Sequence, residues 1–194
     1  NTWGSSNPIL LGFFSRTMAE VAIANDFLRQ SAPEKLAARG ITASADVANI
    51  NDYRNEVRVL RAYAYYNLMD LFGKAPFYDE NSAVNSQGPE YNRAQLFTFI
   101  ETELNAVLPD LKAARANEYG RVDQGVANMI LAKIYLNAEV YIGTPKYAEC
   151  MEKCTTVITS GYTLNTNYLN NFKADNNTSP EIIYPLIADA VVSQ

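Results

Sequence analysis

RVLRAYAYYNLMDLFGKAPFY spans Arg58 to Tyr78, and whether it is a helix or an aromatic platform decides the fold. Three tyrosines crowd into it, Tyr63, Tyr65 and Tyr66. At about 100° per residue around a helix, they cannot all face one way. Tyr63 and Tyr66 share a side, while Tyr65 turns toward Leu68 and Phe72. Val57, Leu60, Arg61, Ala64, Leu68, Leu71 and Phe72 recur at steps of three and four, which is helical spacing. Gly73 can take the position just past a helix end, and Pro76 blocks continuation. The tyrosines are therefore read as packing between paired helices, with contact to a partner protein as their other use. Arg61 interrupts the apolar stripe, so it calls for an ion pair with an acid on a neighbouring helix. Such a pair fixes geometry more than it adds net stability.

Outward from this helix, periodicity predicts more of the same. A first helix is expected over Pro8 to Gln30, with proline in the first turn. Ser31 to Ala45 reads as a polar loop. The helix of the quoted stretch begins at Val47 or Asn51. A loop rich in Gly, Pro, Asn and Ser spans Asp79 to Tyr91. Asn92 and Gln95 form a capping box for a third helix, expected to end near Ala114. Asp123 caps a fourth helix running to Gly143. Pro145 opens a fifth, with Tyr147, Ala148, Met151, Cys154, Val157 and Ile158 facing inward and Gly161 at its end. Residues 161–194 read as loop and strand, with Glu181 to Ile187 strand-like except for Pro185. The fold class is mainly all-α, with a short strand near the C-terminal end. The helical pairs occupy about 47–114 and 123–160. The second pair matches the 34-residue period of a tetratricopeptide unit.

Composition removes several functions. The chain has 194 residues, 48% hydrophobic and 19% charged, which is globular. The net charge is −5 and its 16 Lys and Arg are scattered. Nucleic-acid binding needs clustered cations, so that class is set aside. There are 13 tyrosines and no histidine. The lack of histidine removes the commonest general base and zinc ligand. A tyrosine-rich acidic domain suits sugars or peptides. Cys150 and Cys154 lie on one helix face and read as small core residues. No apolar run is long enough to cross a membrane as a helix. Both chain ends read as cuts within a longer domain.

Three segments together resemble the SusD/RagB family of Bacteroidetes surface lipoproteins. The first is Glu56 to Phe77, EVRVLRAYAYYNLMDLFGKAPF. The second joins Gly120-Arg-Val-Asp to Ala132-Lys-Ile-Tyr-Leu-Asn-Ala-Glu-Val-Tyr-Ile-Gly. The third runs from Ser160-Gly-Tyr-Thr-Leu through Asn167-Tyr168, Phe172 and Ala174-Asp-Asn to Glu181-Ile-Ile. They keep the family's order and cover roughly Asn51 to Leu186. The resemblance implies a tetratricopeptide-like scaffold at the outer-membrane surface. It implies glycan or, less often, peptide binding, delivery to a SusC-like TonB-dependent transporter, a lipid anchor upstream, and no catalysis; within these residues no cofactor and no metal ligand set is read. It also implies that most ligand contacts come from segments outside these residues, and it does not say which glycan.

Within the chain, Trp3 and Asn7 are the candidate ligand contacts, an aromatic face for a sugar ring beside an amide for its hydroxyls. Arg61, Tyr63 and Tyr66 are assigned to scaffold or partner contact. Asp175-Asn176-Asn177 resembles the start of a calcium loop but lacks its later Gly and Glu. Glu101 and Glu103 diverge around a helix, so no glycosidase pair is evident. A tetratricopeptide adaptor holding peptide tails is the alternative function.

Overall fold

The structure, a computed structural model, describes residue 4 and residues 6–187. The described residues are mainly helical, with one small two-stranded sheet. Helix α1 spans Pro8–Gln30, α2 Pro33–Ala38 and α3 Ser44–Phe72. Strands β1 (Lys74–Pro76) and β2 (Glu90–Asn92) flank a long excursion. Helix α4 spans Arg93–Val107, α5 Gln124–Leu136, α6 Ala138–Ile142 and α7 Tyr147–Thr159. Helix α3 packs between α1 and α4, and α5 packs on α7.

The quoted stretch is a helix, and Gly73 ends it at φ 75°, where a side chain would be strained. Arg61, Ala64 and Leu68 of the expected stripe are buried, but the rest of the buried face differs from it. Val59, Ala62, Tyr65, Leu68 and Met69 are buried, whereas Leu60 and Leu71 are exposed. Tyr65 is the tyrosine that enters the core. Its hydroxyl donates to the Tyr78 carbonyl and accepts from the Tyr78 N–H, both at 2.8 Å. Phe77 stacks on Tyr65 at 5.3 Å and on Tyr91 at 4.2 Å, pinning the base of the excursion.

Several expected boundaries move. Ser31 to Ala45 is not one loop, because α2 occupies its middle and buries Leu36. Pro33 at its start and Gly40 after its end, at φ 76°, are the usual helix punctuation. Helix α4 stops at Val107 rather than Ala114, passing into a single 3₁₀ turn at Leu108–Asp110 around Pro109. The fourth helix breaks at Asn137 into α5 and α6, where the Asn137 amide donates to the Lys133 carbonyl. In α7, Tyr147, Ala148, Met151 and Ile158 are exposed instead of facing inward. Cys150, Cys154 and Val157 take the inner face at steps of four and three. The expected strand at 181–187 is absent, since this segment is irregular, and the sheet lies instead at β1–β2. Pro185 has no N–H to give a ladder.

The caps read from sequence form. Asn92 and Gln95 exchange both capping-box bonds at 3.0 Å. Asp123 accepts from Gly125 and Val126 and, through its other oxygen, from the Arg115 N–H.

Candidate functional site

Arg61 is 2% exposed and forms the hub of a charge network. Its guanidinium donates to Glu103 of α4 at 2.6 Å, to Asn25 of α1 at 2.7 Å and to Glu80 of the excursion at 2.5 Å. Arg58, one turn earlier, forks onto both Glu103 oxygens at 2.9 Å. Two cations and two carboxylates balance, as burial requires. Burial pushes the Glu103 carboxyl up, but the hydrogen bonds and charges of Arg58 and Arg61 outweigh it and hold the group below the ordinary range. Asn25 also donates to the Tyr78 carbonyl at 3.0 Å. One side chain thus ties α1, α3, α4 and the excursion together.

Beside this hub, α1 and α3 diverge to leave a groove of about 630 Å³. Its walls are mostly apolar, with Phe13, Ile23 and Phe27 from α1 facing Val57, Leu60 and Tyr63 from α3. Glu20 sits at its rim, and desolvation lifts its carboxyl above the ordinary value. A second cleft, of about 560 Å³, is polar and lined by Asn51, Asp52, Arg54, Asn55, Arg58 and Asp110 among others. Among the described residues no aromatic ring lines it, so these side chains offer hydrogen bonds without a stacking face. Among the described residues, no group of three or more acids or thiols is placed to hold a metal ion.

Trp3 lies outside the described residues. Asn7 caps α1, its side-chain oxygen accepting from the Ile9 N–H at 3.0 Å and the Leu10 N–H at 3.2 Å. Tyr63 and Tyr66 stack at 6.1 Å, both half-buried. Tyr63 faces the groove, while Tyr66 lies near Asp70 and Tyr141. The structure therefore brings Arg61 and Tyr63 to one groove and leaves Asn7 at the head of α1. Sequence reading did not identify Glu80 and Asn25 as partners of Arg61. Asn25 carried a signal, because it is a polar residue in an apolar helical stripe. Glu80 carried none, since a loop acid looks like any solvated charge.

No protein-family model matches the chain. It is 42% identical to the starch-binding protein SusD of Bacteroides thetaiotaomicron over 142 residues, covering 71% of this chain and 25% of that protein. It is similar to a crystal structure described with a xylogluco-oligosaccharide, at TM-score 0.76 and 25% identity, covering 94% of this chain and 36% of that one. It shares a fold with surface glycan-binding protein A from Bacteroides thetaiotaomicron in complex with laminarihexaose, at TM-score 0.66 and 22% identity, covering 89% of this chain and 34% of that one. The chain thus spans about a quarter of its 42% identical relative and about a third of these solved chains.

Proposed function

Because the chain belongs to the SusD/RagB family, we propose that it serves non-catalytic glycan capture at the bacterial surface. The captured ligand passes to a SusC-like TonB-dependent transporter, and a lipid anchor upstream holds the protein to the outer membrane. The observation that carries this reading is the 42% identity to a starch-binding relative over 142 residues.

The named ligands of the relatives differ: starch, a xylogluco-oligosaccharide and laminarihexaose. Their common element is the helical array. Specificity therefore belongs to loops carried by the array, and the helices supply rigid placement. In this chain Trp3 and Asn7 are the residues proposed for ligand contact. Arg61, Tyr63 and Tyr66 serve the scaffold or the contact with a partner protein.

The test is isothermal titration of the complete gene product against starch, laminarin and xyloglucan oligosaccharides, with product analysis by chromatography. Saturable binding to at least one glycan with no shortening of it is the expected result. Trp3→Ala then weakens that binding at least about tenfold, the loss expected of a stacking aromatic at a hot spot. Shortened oligosaccharides would overturn the non-catalytic reading, and silence across the panel would overturn glycan capture.

A further inference from the structure

The polar cleft of about 560 Å³ is built from three separate elements. On the first half of α3, Asn55 and Arg58 follow Asn51 at steps of four and three, and Asp52 stands three before Asn55, so these side chains share a face. The excursion adds Glu80, and the 3₁₀ turn after α4 adds Asp110. The charged groups are held from behind. Arg58 has Nε and Nη2 on Glu103, and Arg54 has Nη1 on the Leu28 carbonyl at 2.6 Å and on Ser31 Oγ at 2.7 Å. Glu80 gives Oε2 to Arg61, so the buried seam sets one wall of the cleft. Among the described residues, Arg58 Nη1, Arg54 Nε and Nη2, and Glu80 Oε1 are left without a bond. Asp52 and Asn55 are partly buried, and their side chains bond to no other described residue. The Glu103 hydrogen bond raises the Arg58 pKa against the opposing effect of burial, and the charges of Glu103, Glu80 and Asp110 add to it.

These groups select a ligand by exclusion. Two guanidiniums and three carboxylates line the cleft, so an ion of either sign meets like charge. Among the described residues, no three acids converge on a metal position and no ring offers a stacking face there. A hydroxyl both donates and accepts, so adjacent hydroxyls can satisfy carboxylate, amide and guanidinium in turn. Side chains already fixed lose little freedom on binding. We infer that this cleft is a further binding site, for a neutral hydroxyl-rich molecule such as a single sugar ring held by its hydroxyl edge. The site stands on the cleft alone and does not depend on the contact proposed for Trp3 and Asn7.

The test uses the complete gene product carrying isotope-labelled arginine, with the Nε–H signals of Arg54 and Arg58 assigned through Arg54→Lys and Arg58→Lys. Titration with glucose, galactose and xylose should shift both signals saturably for at least one of the three. Glucuronate and glucosamine should bind about tenfold more weakly, because each sets a charge against a like one. Asp52→Ala with Asn55→Ala removes two hydrogen-bonding partners and should weaken the neutral sugar about tenfold. Trp3→Ala should leave the arginine titration unchanged, so loss of glycan capture and loss of this site are read separately. Two arginine signals that ignore all three neutral sugars would overturn the inference. So would charged sugars bound as tightly as neutral ones, a comparison that needs no substitution. Equal affinity in the folded double variant would overturn it as well.

Discussion

The α3–α4 and α5–α7 hairpins are held by different physics. Between α3 and α4, Arg58, Arg61 and Glu103 form a charged seam that also reaches α1 through Asn25 and the excursion through Glu80. On the other hairpin, α7 contributes Cys150, Cys154 and Val157, and α5 is buried around most of its circumference by apolar side chains such as Ala127, Leu131 and Ile134. An apolar seam tolerates small repacking, because it needs volume rather than exact partners. A buried charge network does not, because each lost partner strands another group. The first hairpin carries a long excursion that must be held in place, whereas Gly143 and a short turn join α6 to α7. We read the charged seam as the device that positions the excursion.

The largest break in this contrast is Arg61→Ala. It leaves Glu80 and Asn25 without this partner and Glu103 with Arg58 alone, and a cost of about 3 kcal/mol is expected. Urea unfolding gives the magnitude, and faster proteolysis within 79–90 would report release of the excursion. Arg61→Met combined with Glu103→Met should recover much of the loss, since Arg58 is half-exposed and can turn to water. A double variant as unstable as the single one would show that packing, not charge, holds the seam.

Acid probes the same seam without substitution. The folded Glu103 value lies below the unfolded one near 4.5, so its contribution is present above that pH. It is lost as pH falls through the folded value. Thermal midpoints between pH 6 and pH 3 should therefore drop, and Glu103→Gln should flatten that slope while lowering the midpoint at pH 6. An unchanged acid slope in Glu103→Gln would remove Glu103 from the account.

Near the second hairpin the expected break is steric. A Cβ at Gly125 would overlap the Tyr162 hydroxyl and crowd Asp123 Oδ1 at 3.0 Å. Gly125→Ala should cost about 1–3 kcal/mol by overpacking. Gly125→Ala with Tyr162→Phe should regain part of it, and thermal melting distinguishes the two. Asn92→Ala removes the capping box of α4 and should cost about 1 kcal/mol. That is also checked by melting, with no change in proteolysis at 79–90.

Legibility in the sequence follows the same division. Helix α1, the helical nature of Arg58 to Phe72, the Asn92 and Asp123 caps and the Gly73 stop all rest on local rules, and local rules were readable. The rotational setting of α3 and α7 was not. Leu60 and Met151 are apolar yet exposed, and only the third dimension tells which side of a helix meets a neighbour. The need for a partner to Arg61 was visible, because a charge stood in an apolar stripe. Its acids were not, since Glu80 lies 19 residues away in a loop and Glu103 lies 42 away on another helix. Residues 181–187 were misread as a strand, because an apolar run with β-branched residues looks alike whether it pairs with a neighbour or lies on helices.

The smallest expected effect tests the groove rather than either hairpin. Glu20 is an exposed acid whose value is raised by desolvation at the rim beside Tyr184. A carboxyl raised on folding binds its proton more tightly in the folded chain than in the unfolded one. Stability from this group is thus present at low pH and falls as pH rises through the folded value. At pH 7 the ionised group opposes folding, weakly because water screens much of it. Glu20→Gln should therefore raise the thermal midpoint slightly at pH 7 and leave it unchanged near pH 4. The same substitution in a Tyr184→Ala chain should gain less, because removing that ring lets water back to the rim. An equal gain in both backgrounds would show that the helices alone desolvate Glu20.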